Sequence, residues 1–481
     1  MSLVLGADSS TQSTKVEVRD ADDGTLVAAG SAPHPPVGPP RSEQDPEAWW
    51  LALAEAVGAA LGPSGARTDD VAAVSVAGQQ HGMVLLGRGD RVLRPAKLWN
   101  DTESAPQATA LVEALGPAEW ARRTGSVPVA AFTVTKLAWV AAHQPDALAA
   151  TRRVLLPHDW LTLRLGGRAV TDRGDASGTG YYSPADGRWL PELLDTVVGA
   201  GPWAHRLPEV LGPTEAAGGV SPEAVATLGL APGTVVGPGT GDNMAAALAL
   251  ALDAGRPCLS LGTSGTVYLV SDRPTADPSG AVAGFASADG RFLPLVCTLN
   301  ATRVTDAVAR LLGVDAAGLD ALALAGSSGA GGVVLVPYFD GERTPDRPTA
   351  TGSVRGLRGD VAREDLARAA VEGVVCGLLD ALDALASTTP VAPGPLVLLG
   401  GGARSAAYRR VVADLSGRPL VLPAVGEAVA TGACVQAAAT LHARPPADIQ
   451  RAWGLGGGVT VEPGPGVDRA AVRAAYAAAR G

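Results

Sequence analysis

The chain opens with an apolar run, Leu3-Val4-Leu5, followed by a polar stretch over residues 8–15 and an alternating segment through Val16 and Val18. Alternation of period two marks a half-buried strand, so this pattern predicts strand, polar turn, strand. The same design returns at Cys258-Leu259-Ser260-Leu261, Gly262-Thr263-Ser264-Gly265 and Val267-Tyr268-Leu269-Val270. Its recurrence half a chain later predicts two similarly built halves, here divided near Met244 into residues 1–244 and 245–481. A helix carrying Trp49 and Trp50 follows Ser42-Glu43-Gln44-Asp45-Pro46, and residues 71–76 read as a buried strand. Further helices are predicted over residues 136–143, 159–165 and 243–252, the last after the strand Val235-Val236 and a Gly-Pro-Gly turn. The second half continues with strands at 333–336 and 396–399 and helices at 363–386, 427–441 and 468–480. Strands alternating with helices predict an α/β architecture. Residues 33–40 and 340–348 read as surface loops, and the Gly-rich 454–458 as a flexible link.

A length of 481 residues is enough for about three domains of ordinary size, or two large ones. The formal charge of -10, from 38 basic and 48 acidic residues, argues against a nucleic-acid partner. Cys258, Cys297, Cys376 and Cys434 are far apart and show no metal-ligand spacing, so they read as reduced thiols of a cytosolic protein. The longest apolar run, residues 244–252, falls far short of the roughly 18 residues of a membrane span. Asp8 interrupts the first apolar segment, and no basic stretch precedes it, so no export signal and no membrane association are expected.

Three turns rich in glycine and hydroxyl residues each follow a predicted strand: residues 8–15, residues 262–265, and Gly400-Gly401-Gly402-Ala403-Arg404-Ser405. Exposed amides on small residues suit phosphate oxygens, and three such turns together favour phosphate binding over turn geometry alone. Neither a G-x-x-x-x-G-K-[ST] motif nor a strand-linked G-x-G-x-x-G is present, which removes support for a P-loop enzyme or a dinucleotide dehydrogenase. Asp242, in Gly239-Thr240-Gly241-Asp242-Asn243, sits at a strand end and a helix start. Two readings stand there: a helix N-cap, and a general base for a phosphoryl acceptor hydroxyl. His81, in Ala77-Gly78-Gln79-Gln80-His81-Gly82, lies where the buried strand ends, placed either to read sugar hydroxyls or to serve as a satisfied turn residue. The other five histidines show no ligand spacing.

Taken together the motifs resemble the FGGY carbohydrate kinases, and among them the bacterial xylulokinase branch. The resemblance runs nearly end to end through residues 42–50, 78–82, 94–101, 155–159, 259–265 and 341–345. A second family signature is met by Gly352-Ser353-Val354-Arg355-Gly356-Leu357 continuing to Asp365-Leu366 and Ala369-Ala370-Val371-Glu372. The first is matched through Thr133, Lys136, Leu137, Trp139 and Val140, with departures at Ala131 and Ala142. The resemblance implies the two-domain actin-like ATPase fold of sugar kinases and heat-shock proteins, a ribonuclease H-like core in each domain, and ATP and sugar meeting in the cleft between them.

The resemblance also implies roles. Asp242 corresponds to the catalytic base, and Asn243, Gln80 and His81 to sugar-binding positions. Asp8 corresponds to the residue that orients Mg2+ through water. Thr11 and Lys15, then Gly262 and Thr263, match the two phosphate turns, and Gly401, Gly402 and Ser405 the nucleotide turn of the second domain. Ser10 replaces a frequent Gly, so its backbone must avoid positive φ or accept strain. Gln80 stands where many relatives carry Met. The expected reaction is transfer of the γ-phosphoryl group of ATP to the terminal hydroxyl of D-xylulose by a cytoplasmic enzyme, with a homodimer compatible with the family. The alternatives are a sister kinase for ribulose, an arabinitol or gluconate, and a non-enzymatic chaperone or filament former of the same superfamily.

Overall fold

The computed structural model describes residues 2–481, which divide into two compact units. The first comprises residues 2–252, Asp272–Leu293 and Val425–Gly456; the second comprises Asp253–Ser271, Pro294–Ala424 and Gly457–Gly481. Each is built on one mixed sheet.

In the first unit the strand Leu3–Ser9, buried along its whole length, lies at the centre. Its antiparallel neighbour Ser13–Asp20 pairs in turn with Leu26–Pro33. On the other side Val71–Gly78 runs parallel to it, followed by Val235–Val236 and, further along the same edge, Thr240–Gly241. Numbered by chain order, the five principal strands lie 3-2-1-4-5 across the sheet. The polar stretch expected over residues 8–15 is therefore a shorter turn than its composition suggested, because Asp8 and Lys15 are paired strand residues. Ser10 keeps a negative φ, and its hydroxyl donates to Ser13 O at 3.0 Å.

Helix Pro46–Ser64 begins with Asp45 accepting from Glu47 N and with proline in its first turn, and it buries Trp49 and Trp50. Helix Ala428–His442 is rich in Ala, with one Gly, and buried on nearly all sides. Its small residues let it lie directly on backbone. A Cβ on Gly6 would strike Ala430 O, and one on Gly432 would strike Ala245 O of helix Asp242–Ala249.

The second unit repeats the plan. Cys258–Leu261 is flanked by antiparallel Gly265–Tyr268, which pairs with the last residues of Phe292–Thr298, and by parallel Leu396–Leu399, which pairs with Leu420–Pro423. Its principal strands again follow the order 3-2-1-4-5. The long helix Arg363–Thr388 starts with Asp365 accepting from Ala362 N and buries its central residues, Val371 and Val375 among them. The Gly-rich run expected as a flexible link is instead a turn with positive φ at Gly454 and Gly456, leading into the edge strand Gly458–Val461. Among the described residues, no helix is long and apolar enough to cross a membrane.

Candidate active site

Three adjacent parallel strands of the first unit end together. Asp8 lies opposite Ala77 in one pairing and Thr240 lies opposite Ala77 in the other, so the ends of Leu3–Ser9, Val71–Gly78 and Thr240–Gly241 deliver Asp8, Gln79-Gln80 and Asp242 to one side of the sheet. Carboxyl ends of parallel strands are where open α/β sheets bind ligands.

Asp242 opens helix Asp242–Ala249, and the N-cap position belongs to Gly241, so the capping reading of Asp242 does not hold. One carboxyl oxygen, Oδ1, accepts from Asn243 N at 2.7 Å and from Asn243 Nδ2 at 2.8 Å. Burial pushes its pKa up to about 6, against the opposing effect of these two donors. Asp8 is raised further, to about 7, first by burial and then by the charge of Asp242, with Lys15 opposing. Its buried Oδ1 has no hydrogen-bond partner. Lys15 forms an ion pair with Glu427 at 2.7 Å, and both side chains are more than a third exposed. Thr11 donates to Gln79 Oε1 at 3.2 Å and accepts from the Trp99 indole at 2.9 Å.

Gln80, 5% exposed, accepts from Asn243 Nδ2 at 3.0 Å. His81 has a left-handed backbone, φ 65°. Its ring lies stacked 4.8 Å from Phe132, and its Nδ1 is 2.7 Å from Gly178 O. A carbonyl only accepts, so Nδ1 carries the proton. The His81 carbonyl accepts from Thr133 Oγ1 and Lys136 Nζ, each at 3.2 Å, and Lys136 also donates to Ala131 O. Lys136 is wholly buried, which pulls its pKa down to about 7. The first signature thus contributes a lysine that holds the strained histidine backbone.

A buried cluster behind these residues escaped sequence reasoning, which gave His158 no role. His158 Nε2 lies 3.1 Å from Asp159, 3.3 Å from Asp175 and 3.8 Å from Asp172. Burial drives each member toward its neutral form: His158 falls to about 3, Asp172 rises to about 6, and Asp159 and Asp175 rise well above the carboxylate range. Thr240 Oγ1 donates to Asp172 at 2.8 Å, tying the cluster to the strand that carries Asp242. No spacing rule links residues 158, 172 and 175, so only the fold could bring them together. Elsewhere Glu43, Asp101 and Glu103 converge at cation-site spacing, but Lys97 Nζ already sits among them at 3.2, 3.0 and 2.5 Å.

In the second unit Gly262, Thr263, Gly401, Gly402 and Ser405 line one cavity of about 620 Å³ together with Thr302, Thr305, Asp320 and Tyr408. The glycines differ in purpose. Cβ atoms on Gly400 and Gly402 would collide with Leu261, whereas one on Gly401 would meet Arg404 Nη2 at 3.7 Å, an ordinary contact. Ser405 is the N-cap of helix Ala406–Ser416, accepting from Tyr408 N at 3.0 Å. Asp320 closes the same helix end by accepting from Ser405 Oγ and, at 3.0 Å each, from the amides of Ala406 and Ala407. An anion is therefore already in place there, and Ser405 is built into the cavity wall.

Two units of the same strand order, one carrying Asp8 and Asp242 at its strand ends and the other a glycine-lined cavity, agree with the two-domain actin-like ATPase fold expected of sugar kinases. Residues 3–249 match the N-terminal domain and residues 258–441 the C-terminal domain of the FGGY family of carbohydrate kinases. The chain belongs to this family, and as a carbohydrate kinase it uses ATP. It is 48% identical to the xylulose kinase of Streptomyces rubiginosus over 96% of this chain and 92% of that one. The crystal structure of xylulose kinase from Bifidobacterium adolescentis is 42% identical, with a TM-score of 0.86 over 100% of this chain and 99% of that one. Gluconate kinase from Lactobacillus acidophilus, 23% identical, shares the fold with a TM-score of 0.90 over 99% and 96% of the two chains.

Proposed function

We propose that this kinase transfers the γ-phosphoryl group of ATP to the terminal hydroxyl of D-xylulose, giving D-xylulose 5-phosphate and ADP in the cytoplasm. The observation that carries the chemistry is the Asp242 carboxyl, half-buried at the start of helix Asp242–Ala249 just past a strand end, with Oδ1 held by Asn243. Its other oxygen is the one that accepts the hydroxyl proton as the new O–P bond forms. With a pKa near 6, it is a carboxylate at neutral pH yet more basic than an exposed aspartate. In this reading the sugar belongs to the first unit, met by His81, Asn243 and Asp242, and the nucleotide to the glycine-lined cavity of the second. Thr11 and Lys15 in the first unit, and Gly262 and Thr263 in the second, are taken as phosphate-binding positions, each within its own unit.

Asp8 fits an Mg2+ role: a buried carboxyl oxygen without a partner, its pKa raised first by burial and then by a neighbouring carboxylate, is a group that a cation would stabilise in its charged form. Bound there through water, the ion would neutralise phosphate charge. The chain's own contribution is alignment and proton acceptance, because a loose phosphoryl transition state leaves little covalent work to the protein.

The choice of xylulose is supported by the names of the relatives at 48% and 42% identity. Purified protein should release ADP with D-xylulose at least tenfold faster, as kcat/KM, than with ribulose, arabinitol or gluconate; a preference for one of these reassigns the sugar. Asp242→Asn should lower kcat by about 10²–10⁴. Turnover within tenfold of the native enzyme removes Asp242 as the base.

A further inference from the structure

The orientation of every amide around Asp242 follows from one fixed point. A carboxylate oxygen can only accept, so the Asn243 atom facing Asp242 Oδ1 is its NH2 group. That same NH2 meets Gln80 at 3.0 Å, so the Gln80 atom there is the carbonyl oxygen. The Gln80 amide nitrogen must then point the other way. It is buried, without an aligned hydrogen bond, and close enough to Asp175 to favour that group's charged form. A single added carbon on Gly241 would come within 2.8 Å of Gln80 Cγ and 3.1 Å of its Cδ, so Gln80 packs against the backbone that precedes Asp242.

We infer that Gln80 is a positioning residue, which holds the Asn243 carboxamide so that its NH2 is delivered to Asp242 Oδ1 and the other oxygen stays directed at the acceptor hydroxyl. The inference rests on Asp242 being the base. It gives Gln80 a task different from the sugar contact expected of its position, since its carbonyl oxygen is already engaged by Asn243. Without Gln80, the Asn243 amide loses its second acceptor and is free to leave Asp242. Asp242 then loses a hydrogen bond to its charged form, and its pKa rises. The charged and titratable groups facing Asp242 are Asp8 on strand Leu3–Ser9 and Asp175 on the short helix Arg173–Ala176. Behind them stand Lys15 and Glu427 on one side and His158, Asp159 and Asp172 on the other. The pH profile is therefore the macroscopic response of a coupled set.

The test uses the full chain with D-xylulose and MgATP, measuring kcat and sugar KM from pH 5 to 9. Gln80→Met should lower the plateau kcat about tenfold and move the acidic limb of kcat upward by about half a pH unit or more, with sugar KM changed less than threefold. Gln80→Glu keeps the oxygen that accepts from Asn243 and should lose less plateau kcat than Gln80→Met, although it sets a second carboxyl beside Asp175; it also serves if the Met variant fails to fold. Combining Gln80→Met with Asn243→Ala should be no worse than Asn243→Ala alone. A raised KM with an unmoved limb, additive losses in the double variant, or equal plateau losses for Met and Glu overturns the positioning role. Those results with an inactive Asp242→Asn enzyme reject only the role of Gln80, whereas an active Asp242→Asn enzyme rejects the base itself.

Discussion

The residues best suited to chemistry are those that cost the fold most. Asp8 is 6% exposed and has its pKa pushed from 3.8 to about 7, first by burial. A carboxyl whose folded pKa lies above its unfolded value favours folding only while protonated. Its contribution is intact below about pH 4, is lost as pH rises through 7, and leaves the folded state burdened above that. Three pKa units correspond to about 4 kcal/mol, an upper bound. Asp8→Asn should therefore raise the Tm by several degrees at pH 8, with the gain fading between pH 7 and pH 4, while kinase activity falls. Thermal melts of both proteins across that range check it, and a gain that does not depend on pH counts against buried charge as the cause. Asp242 shares this character, and sequence pattern alone left it balanced between cap and base. The helix geometry, with Gly241 at the N-cap, removes the cap reading, and the base role stands as the proposal.

Among elements, short apolar runs, turn residues and one recurring hairpin made the strand ends legible, since they depend on neighbours in sequence. Contacts set by tertiary approach were hidden. The Gly400–Gly402 turn shows this: all three glycines read alike as candidates for phosphate approach, but two of them exist to clear Leu261 and one borders open cavity. The prediction follows from that difference. Gly402→Ala should cost about 1–3 kcal/mol, because its Cβ would press on Leu261 Cδ2 and Thr302 Cγ2 at 2.9 Å. Gly401→Ala should leave the Tm nearly unchanged and raise the KM for ATP several-fold by filling space beside the phosphates. Melting curves and ATP kinetics on the two variants decide it, and the opposite pattern would show that Gly401 is structural. Ser405 belongs with the hidden cases too, for nothing in the sequence linked it to Asp320, 85 positions earlier.

Across the whole molecule, the two-fold repetition was readable because each half closes the same hairpin, but the threading of the chain was not. Helix Ala428–His442 belongs to the first unit although it lies near the end of the sequence. What binds it there is non-local: Ser75 donates to Gln436 at 2.6 Å, Gln436 donates to Gly239 O at 3.0 Å, and Thr431 donates to Glu17 at 2.7 Å. All of these groups are buried, so removing the helix would strand several of them without partners and uncover strand Leu3–Ser9, together with the backbone next to Asp242. Unpaired buried polar groups cost about 1–3 kcal/mol each, against a total stability of only about 5–15 kcal/mol. Residues 1–252 expressed alone should therefore lack a cooperative thermal transition. Fusing residues 272–293 and 425–456 through flexible linkers should restore one, because these complete the first unit. Far-UV and near-UV circular dichroism melts of the two polypeptides make the comparison. A sharp transition of residues 1–252 alone above about 45 °C, in the ordinary range for a mesophilic domain, would show that the late helix is not needed to complete that core.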